Sequence, residues 1–164
     1  MLRCGPALCA DAGPLVISVP QGFEGPTRDD GSGGVTIAWI ERHPASDVGT
    51  LLQVSTIDVG SSLDGITRAQ AVEGANHYLL EFLRGIGHSL DHFEFGEFEQ
   101  VSIAGLPAAR VRWTASALGH PAIGVAYCVL VGRSVVSLQT QDLGSEFTPA
   151  MYSAISAIEG ARVH

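Results

Sequence analysis

The nine residues Ile123–Val131, "IGVAYCVLV", decide the fold. A strand with one wet face alternates apolar and polar residues, because successive side chains point to opposite sides of the sheet. Here both parities are apolar: Ile123, Val125, Tyr127, Val129 and Val131 on one, Ala126, Cys128 and Leu130 on the other. Such a strand needs cover on both faces, which places it centrally in its sheet. Cys128 reads as a small core residue, too enclosed to act as a nucleophile.

Working outward, "AARVRWTAS" (108–116) alternates Ala109, Val111, Trp113 and Ala115 inward against Arg110, Arg112 and Thr114 outward. "SVVSLQTQ" (134–141) returns as a strand after the Gly132-Arg133 turn. Upstream, Phe93 and Phe95 alternate with His92 and Glu94, Gly96 interrupts, and Val101 and Ile103 resume, so a bulge or bend is expected near Gly96. These four make a meander. Earlier, "PLVISVP" (14–20), "VTIAWIER" (35–42) and "TLLQVSTIDVG" (50–60) read as three strands rich in β-branched residues. "EGPTRDDGSGG" (24–34) reads as a loop, and its glycines neither follow a strand nor open a helix as a phosphate cradle would.

Between these groups the period changes. Thr67 and Gln70 form a capping-box signature, and Val72, Ala75, Leu79, Phe82 and Ile86 recur at helical spacing, which predicts a helix over 67–86 stopped by Gly85 and Gly87. Thr148-Pro149 opens a closing helix with Met151, Ile155 and Ile158 on its stripe and Gly160 at its end. A doubly covered strand with two amphipathic helices predicts an α/β/α sandwich: a mainly antiparallel sheet of about six or seven strands, one long helix after strand three and one C-terminal helix. Residues 1–13 read as a mobile N-terminal segment and 14–164 as a single domain.

Composition narrows function. The chain has 164 residues, 46% of them hydrophobic and 16% charged, and no apolar run of the ~20 residues that would span a bilayer. A net charge of −8 disfavours nucleic acid and anionic lipid, whose binding needs clustered cations. All nine basic residues are arginine, which excludes Schiff-base, P-loop and kinase-type lysines and points by association to a GC-rich bacterial source. The first fifteen residues carry no recognisable export signal or lipobox, so the chain as it stands reads as cytoplasmic.

The stretch "HSLDHFEFGE" (88–97) gathers the candidate metal ligands His88, Asp91, His92 and Glu94, with Glu97 beside them. In an extended strand His92 and Glu94 share a face, and His88 and Asp91 could complete a site. The competing account is a polar helix end running into a strand edge. His77 stands four residues from Glu73 and from Glu81, lacks the second histidine of a zinc motif, and reads as a solvated helix face. Cys4 and Cys9 form a disulfide loop or half a metal site, with no second pair at zinc spacing. Arg110 and Arg112 are candidate binding residues for a carboxylate, or partners for Glu97 or Glu99 on the next strand. His43-Pro44 and His120-Pro121 read as turns, and no Gly-x-Ser-x-Gly elbow is present.

The element order, with "ISVPQGF" (17–23), "VSIAGLPAARV" (101–111) and the closing Thr-Pro helix, resembles the PsbP-like family. That family includes the photosystem II extrinsic subunit, the Ran-binding nuclear import factor of the same fold and uncharacterised bacterial domains. The resemblance implies an α/β/α sandwich and a binding or assembly role, with no shared catalytic set to carry over. The expectation is therefore a non-catalytic domain without a cofactor, whose partner is another protein, with self-association left open. The alternatives are a metal-dependent enzyme using His88–Glu97, and a carrier of a small apolar ligand lined by Phe82, Phe93 and Phe95.

Overall fold

In the computed structural model, which describes residues 8–31, 33–44 and 48–164, the stretch 123–131 lies at the heart of a wide sheet. The elements run β1 (Leu8–Ala12), β2 (Leu15–Val19), β3 (Glu24–Gly31), β4 (Gly34–Arg42), β5 (Gly49–Asp58), α1 (Arg68–Gly87), β6 (Asp91–Phe95), β7 (Glu99–Ile103), β8 (Leu106–Ala117), β9 (His120–Val131), β10 (Ser134–Leu143), α2 (Pro149–Glu159) and β11 (Arg162–Val163). The main sheet has the order β3-β4-β5-β10-β9-β8-β6, with β7 following β6 along the same flank of β8. Every pairing is antiparallel. A separate sheet has the order β1-β2-β11. Among the described residues no helix is long and apolar enough to cross a membrane.

β9 is buried on both faces as its sequence requires. Val125, Tyr127, Val129 and Val131 join Trp39, Leu52 and Leu138 on one side, under α2 and the small sheet. Ala126, Cys128 and Leu130 join Val111 and Trp113 on the other, under Ala75, Leu79 and Leu83 of α1. Trp113 lies across β9 opposite Gly124, where a β-carbon would come within 2.3 Å of the indole ring. Gly124 is thus the slot that lets a full indole lie flat.

Both helix starts follow the sequence. Thr67 Oγ1 accepts from the Gln70 amide at 3.2 Å while Gln70 Oε1 accepts from the Thr67 amide at 2.8 Å, which satisfies two otherwise orphaned donors. Thr148 caps α2 by accepting from the Met151 amide, and Pro149 follows at the first helical position. The buried line of α1 is Ala75, Leu79 and Leu83, rotated from the predicted stripe so that Phe82 and Ile86 flank it. Gly85 does not stop α1, which runs through it and ends at Gly87 with His88 as its cap. Gly87 also gives the Phe93 ring room, since a β-carbon there would sit 3.0 Å from it.

Two expectations change. Residues 24–31 are not a loop: they form β3, hydrogen-bonded to β4 from Thr27↔Ala38 to Gly31↔Gly34 and exposed along their length. An edge strand needs a partner on one side only, so it tolerates the proline, charges and bulge that mimic a loop. The outer layer around α2 is also mixed, because β1, β2 and β11 share it with the helix.

The layers do not fully cover the sheet. Seven strands spaced ~4.8 Å apart span roughly 29 Å, whereas a helix with its side chains is only ~10–12 Å across. α1 lies over β8, β9 and β10, leaving β4 and β5 open on that face. On the reverse face α2 and the small sheet leave the β6–β8 end open. Two recesses result, diagonal to one another.

Substituting Gly124→Ala should cost about 1–3 kcal/mol by forcing Trp113 off the sheet. Urea unfolding followed by tryptophan emission reads it, and unchanged stability would mean that the indole has room to spare.

Candidate functional site

The predicted metal candidates lie along one exposed stretch. His88 caps the C-terminus of α1, and Asp91, His92 and Glu94 lie on β6, all exposed. The register of β6 on β8 shifts between Asp91 and Glu94, and His92 adopts a φ of 51°, so the regular alternation behind a His92–Glu94 clip is broken. Among the described residues no three His, Cys, Asp or Glu side chains are grouped to hold a metal ion. The aromatics between these polar residues form a connected run instead: Phe93 meets Trp113 at 5.5 Å and Phe95 at 6.2 Å, and Phe95 meets Phe98 at 6.0 Å. His77 packs edge-on against Tyr78 at 5.3 Å, and Glu81 pairs with Arg84. Cys4 lies outside the described residues.

The two arginines of β8 share a sheet face but have different surroundings. In register, Arg110 stands opposite Tyr127 and Arg112 opposite Val125, so both lie on the α2 side of the sheet, Arg110 partly covered there and Arg112 exposed beyond the cover. Arg110 is half-buried and bound from two directions, by Glu99 across the β7–β8 ladder and by Glu159 of α2 at 2.7 Å. The Tyr127 hydroxyl donates to the same Glu159 oxygen at 2.9 Å. The hydrogen bond from Arg110 holds the Glu99 carboxyl below its usual range. Burial first, and then the bond to Glu159, raise the Tyr127 phenol above its ordinary value. Arg110 thus bolts the last turn of α2 to the sheet.

Arg112 is exposed, and among the described residues no carboxylate lies within salt-bridge distance of it. Its guanidinium lies 5.0 Å from the Phe147 ring centre, a cation–π contact. It lines a cleft of about 640 Å³ at the uncovered end of the sheet. Glu94, Thr114 and Ile123 flank it on the strands, while Phe147 and Tyr152 form the opposite wall. Tyr152 is 59% exposed and Phe95 45%. Large aromatics that open to solvent beside a cation are what a binding surface offers and a core does not.

The wall is positioned by local rules. Phe147 precedes the cap residue Thr148 and Tyr152 is the fourth helical residue, so their contact at 5.7 Å is a hydrophobic staple fixing how the chain enters α2. Thr148 is itself anchored to a buried acid. Asp142, 4% exposed, accepts from Thr50 at 2.6 Å, from its neighbour's amide at Leu143 at 2.7 Å and from Thr148 at 3.5 Å, with His43 Nε2 at 2.9 Å. Sequence reasoning missed this cluster, in which His43 and Asp142 are 99 residues apart. The staple had a readable signal: aromatics at the two flanking positions of a Thr-Pro cap.

The three phenylalanines proposed as one ligand pocket separate. Phe95 borders the Arg112 cleft, Phe93 packs in the α1-side core, and Phe82 lines a groove on the far half of that face.

No protein-family model matches the chain, and no curated protein matches its sequence. Among solved structures, LpqN, involved in cell envelope biogenesis of Mycobacterium tuberculosis, is similar in fold, with a TM-score of 0.60 and 15% identity. That match covers 97% of this chain and 86% of LpqN. A protein of unknown function from Pseudomonas aeruginosa, PA94, aligns at a TM-score of 0.44 and 13% identity, over 91% of this chain and 88% of its own. At 15% identity the likeness to LpqN is one of fold alone.

Burial also sets an alkaline limit. The Cys128 thiol is pushed up from 9.0 to about 12, chiefly by desolvation, and the Tyr127 phenol rises above 10.0. A group whose folded pKa is raised stabilises fully below its unfolded pKa and loses that contribution as pH climbs toward the folded value. Stability should therefore fall from pH 9 upward, with no lysine titrating in the same range. Cys128→Ala and Tyr127→Phe should each flatten that limb in denaturation measured from pH 8 to 12; identical slopes would contradict the assignment.

Proposed function

We propose that this chain is a non-catalytic binding or assembly domain that engages a segment of another protein in the Arg112 cleft. Arg112 carries the reading: in a molecule of net charge −8 it is a solvent-facing guanidinium held against an aromatic ring and left without a carboxylate. Its planar fork suits a carboxylate, either an acidic side chain or a chain terminus. Phe95 and Tyr152 offer apolar contact on either side, and Glu94 and Glu146 at the rim disfavour a second acid nearby. The selected partner is thus an apolar segment with one carboxylate.

The partner binds in the cleft rather than as an added strand. β3 is charged and bulged at one sheet edge, and β6 is short and bulged at the other, both features that discourage strand addition. Kinship with the PsbP-like family belongs to the same proposal. It rests on "ISVPQGF" and "VSIAGLPAARV" together with the layered architecture, and binding roles are common in that family.

Selection from a random peptide display library, counter-selected on Arg112→Glu, tests the reading. Enriched peptides should carry one acidic group beside apolar residues and bind Arg112→Glu about 10–100-fold more weakly. Failure to enrich any peptide over the variant would sink it.

A further inference from the structure

We infer that the groove between α1 and the uncovered half of the sheet is a second site, which binds an uncharged amphipathic small molecule. It lies on the opposite face from the Arg112 cleft and rests on separate observations. The groove encloses about 430 Å³, within the range of small-molecule pockets. Tyr78, Phe82 and Ile86 of α1 form its wall. Its floor grades along the β5–β10 ladder: Ile57 opposite Val135, then Ser137, then Gln53 opposite Gln139. An apolar body suits the first pair and the aromatic wall, and a polar head suits the amides.

Charge selects the head group. No arginine lines the groove, and the carboxylate at its rim, Glu81, already pairs with Arg84. A carboxylate or phosphate head finds no cation there, and an ammonium finds its counter-charge engaged. The floor, by contrast, holds an unmet acceptor. Gln139 is 5% exposed, gives its amide N–H to Gln53 Oε1 at 3.3 Å, and leaves its own Oε1 without a partner. A hydroxyl or N–H on the ligand, reaching the Gln53–Gln139 pair, is the complement.

Helix α1 carries the second mark. Glycine inside a helix is unfavourable relative to alanine, so each one needs a reason. At Gly74 a β-carbon would press Leu130 at 2.9 Å, and at Gly87 it would press Phe93 at 3.0 Å. At Gly85 it would meet no protein atom within 4 Å, yet Gly85 lines the groove. Packing therefore does not account for this glycine, whereas an open mouth does: any side chain here narrows the groove.

N-phenyl-1-naphthylamine, an uncharged two-part aromatic with one N–H, is the probe, because its emission rises on leaving water. The native chain should bind it saturably at one equivalent. Gly85→Phe at the mouth and Gln139→Leu at the floor should each weaken binding by about tenfold or more. Gly85→Ala should keep most of the affinity and raise the melting temperature, which separates closure of the groove from damage to the helix. Tyr152→Ala, in the other cleft, should leave the affinity for this probe within about twofold of native, whatever it does to the staple of α2. Absent binding in the native chain, equal affinity in the Gly85→Phe and Gln139→Leu variants while both melt as native, or loss in Tyr152→Ala alone would overturn the site.

Discussion

A sheet roughly 29 Å wide cannot be sealed by one ~10–12 Å helix per face, and the rest of this structure follows from that mismatch. The central strands β9, β10 and β8 take the cover, which is why β9 is apolar on both parities. The outer strands receive it on one face only. α1 is displaced toward β8 and α2 with its small sheet toward β5, so the surface left over is two shelves on opposite faces and not one ring of exposed edge. Concave, part-apolar recesses arise here from the layering itself, before any residue is chosen for a ligand.

The contrast between Arg110 and Arg112 shows how that layering sorts like residues into different duties. They stand two apart on one strand and face the same side. The last turn of α2 presents Glu159 to the first, which becomes a structural bolt with Glu99 and Tyr127. The chain entering α2 presents Phe147 to the second, which stays exposed. Ionisable groups near the core are thus engaged by specific partners, and the guanidinium at the open end is available to an outside one.

Legibility from sequence followed how local the deciding physics was. The capping box at Thr67, the Thr148-Pro149 start and the doubly apolar stretch 123–131 depend on residues within a few positions, and each was readable. β3 was not, since an exposed edge strand has no burial pattern to display and its proline and aspartates imitate a turn. The shared face of Arg110 and Arg112 and the Arg110–Glu99 pair were readable, but not that α2 covers one arginine and leaves the other exposed, because alternation says nothing of what packs on a face. Leu83 escaped the predicted stripe for a similar reason: periodicity locates a stripe to within a residue or so, and packing against β8 and β9 chooses its centre. Of the cleft, the arginine was visible in sequence, whereas the wall of Phe147 and Tyr152 and the Asp142 anchor behind it depend on contacts that no short window contains.

The Asp142 cluster has a bearing on how the chain assembles as it leaves the ribosome. His43 and Thr50 are made early, but their acceptor emerges only after β8, β9 and β10 have been synthesised. Until then β5 has an unpaired flank, because its other neighbour in the sheet is β10 and not a strand close in sequence. The nascent N-terminal half therefore carries an open hydrogen-bonding edge through much of translation, a state prone to sticking to other chains. The β5–β10 ladder brings Asp142 to Thr50 and His43 and, through Thr148, to the cap of α2, so the earliest strands of the wide sheet and the closing helix share one buried anchor.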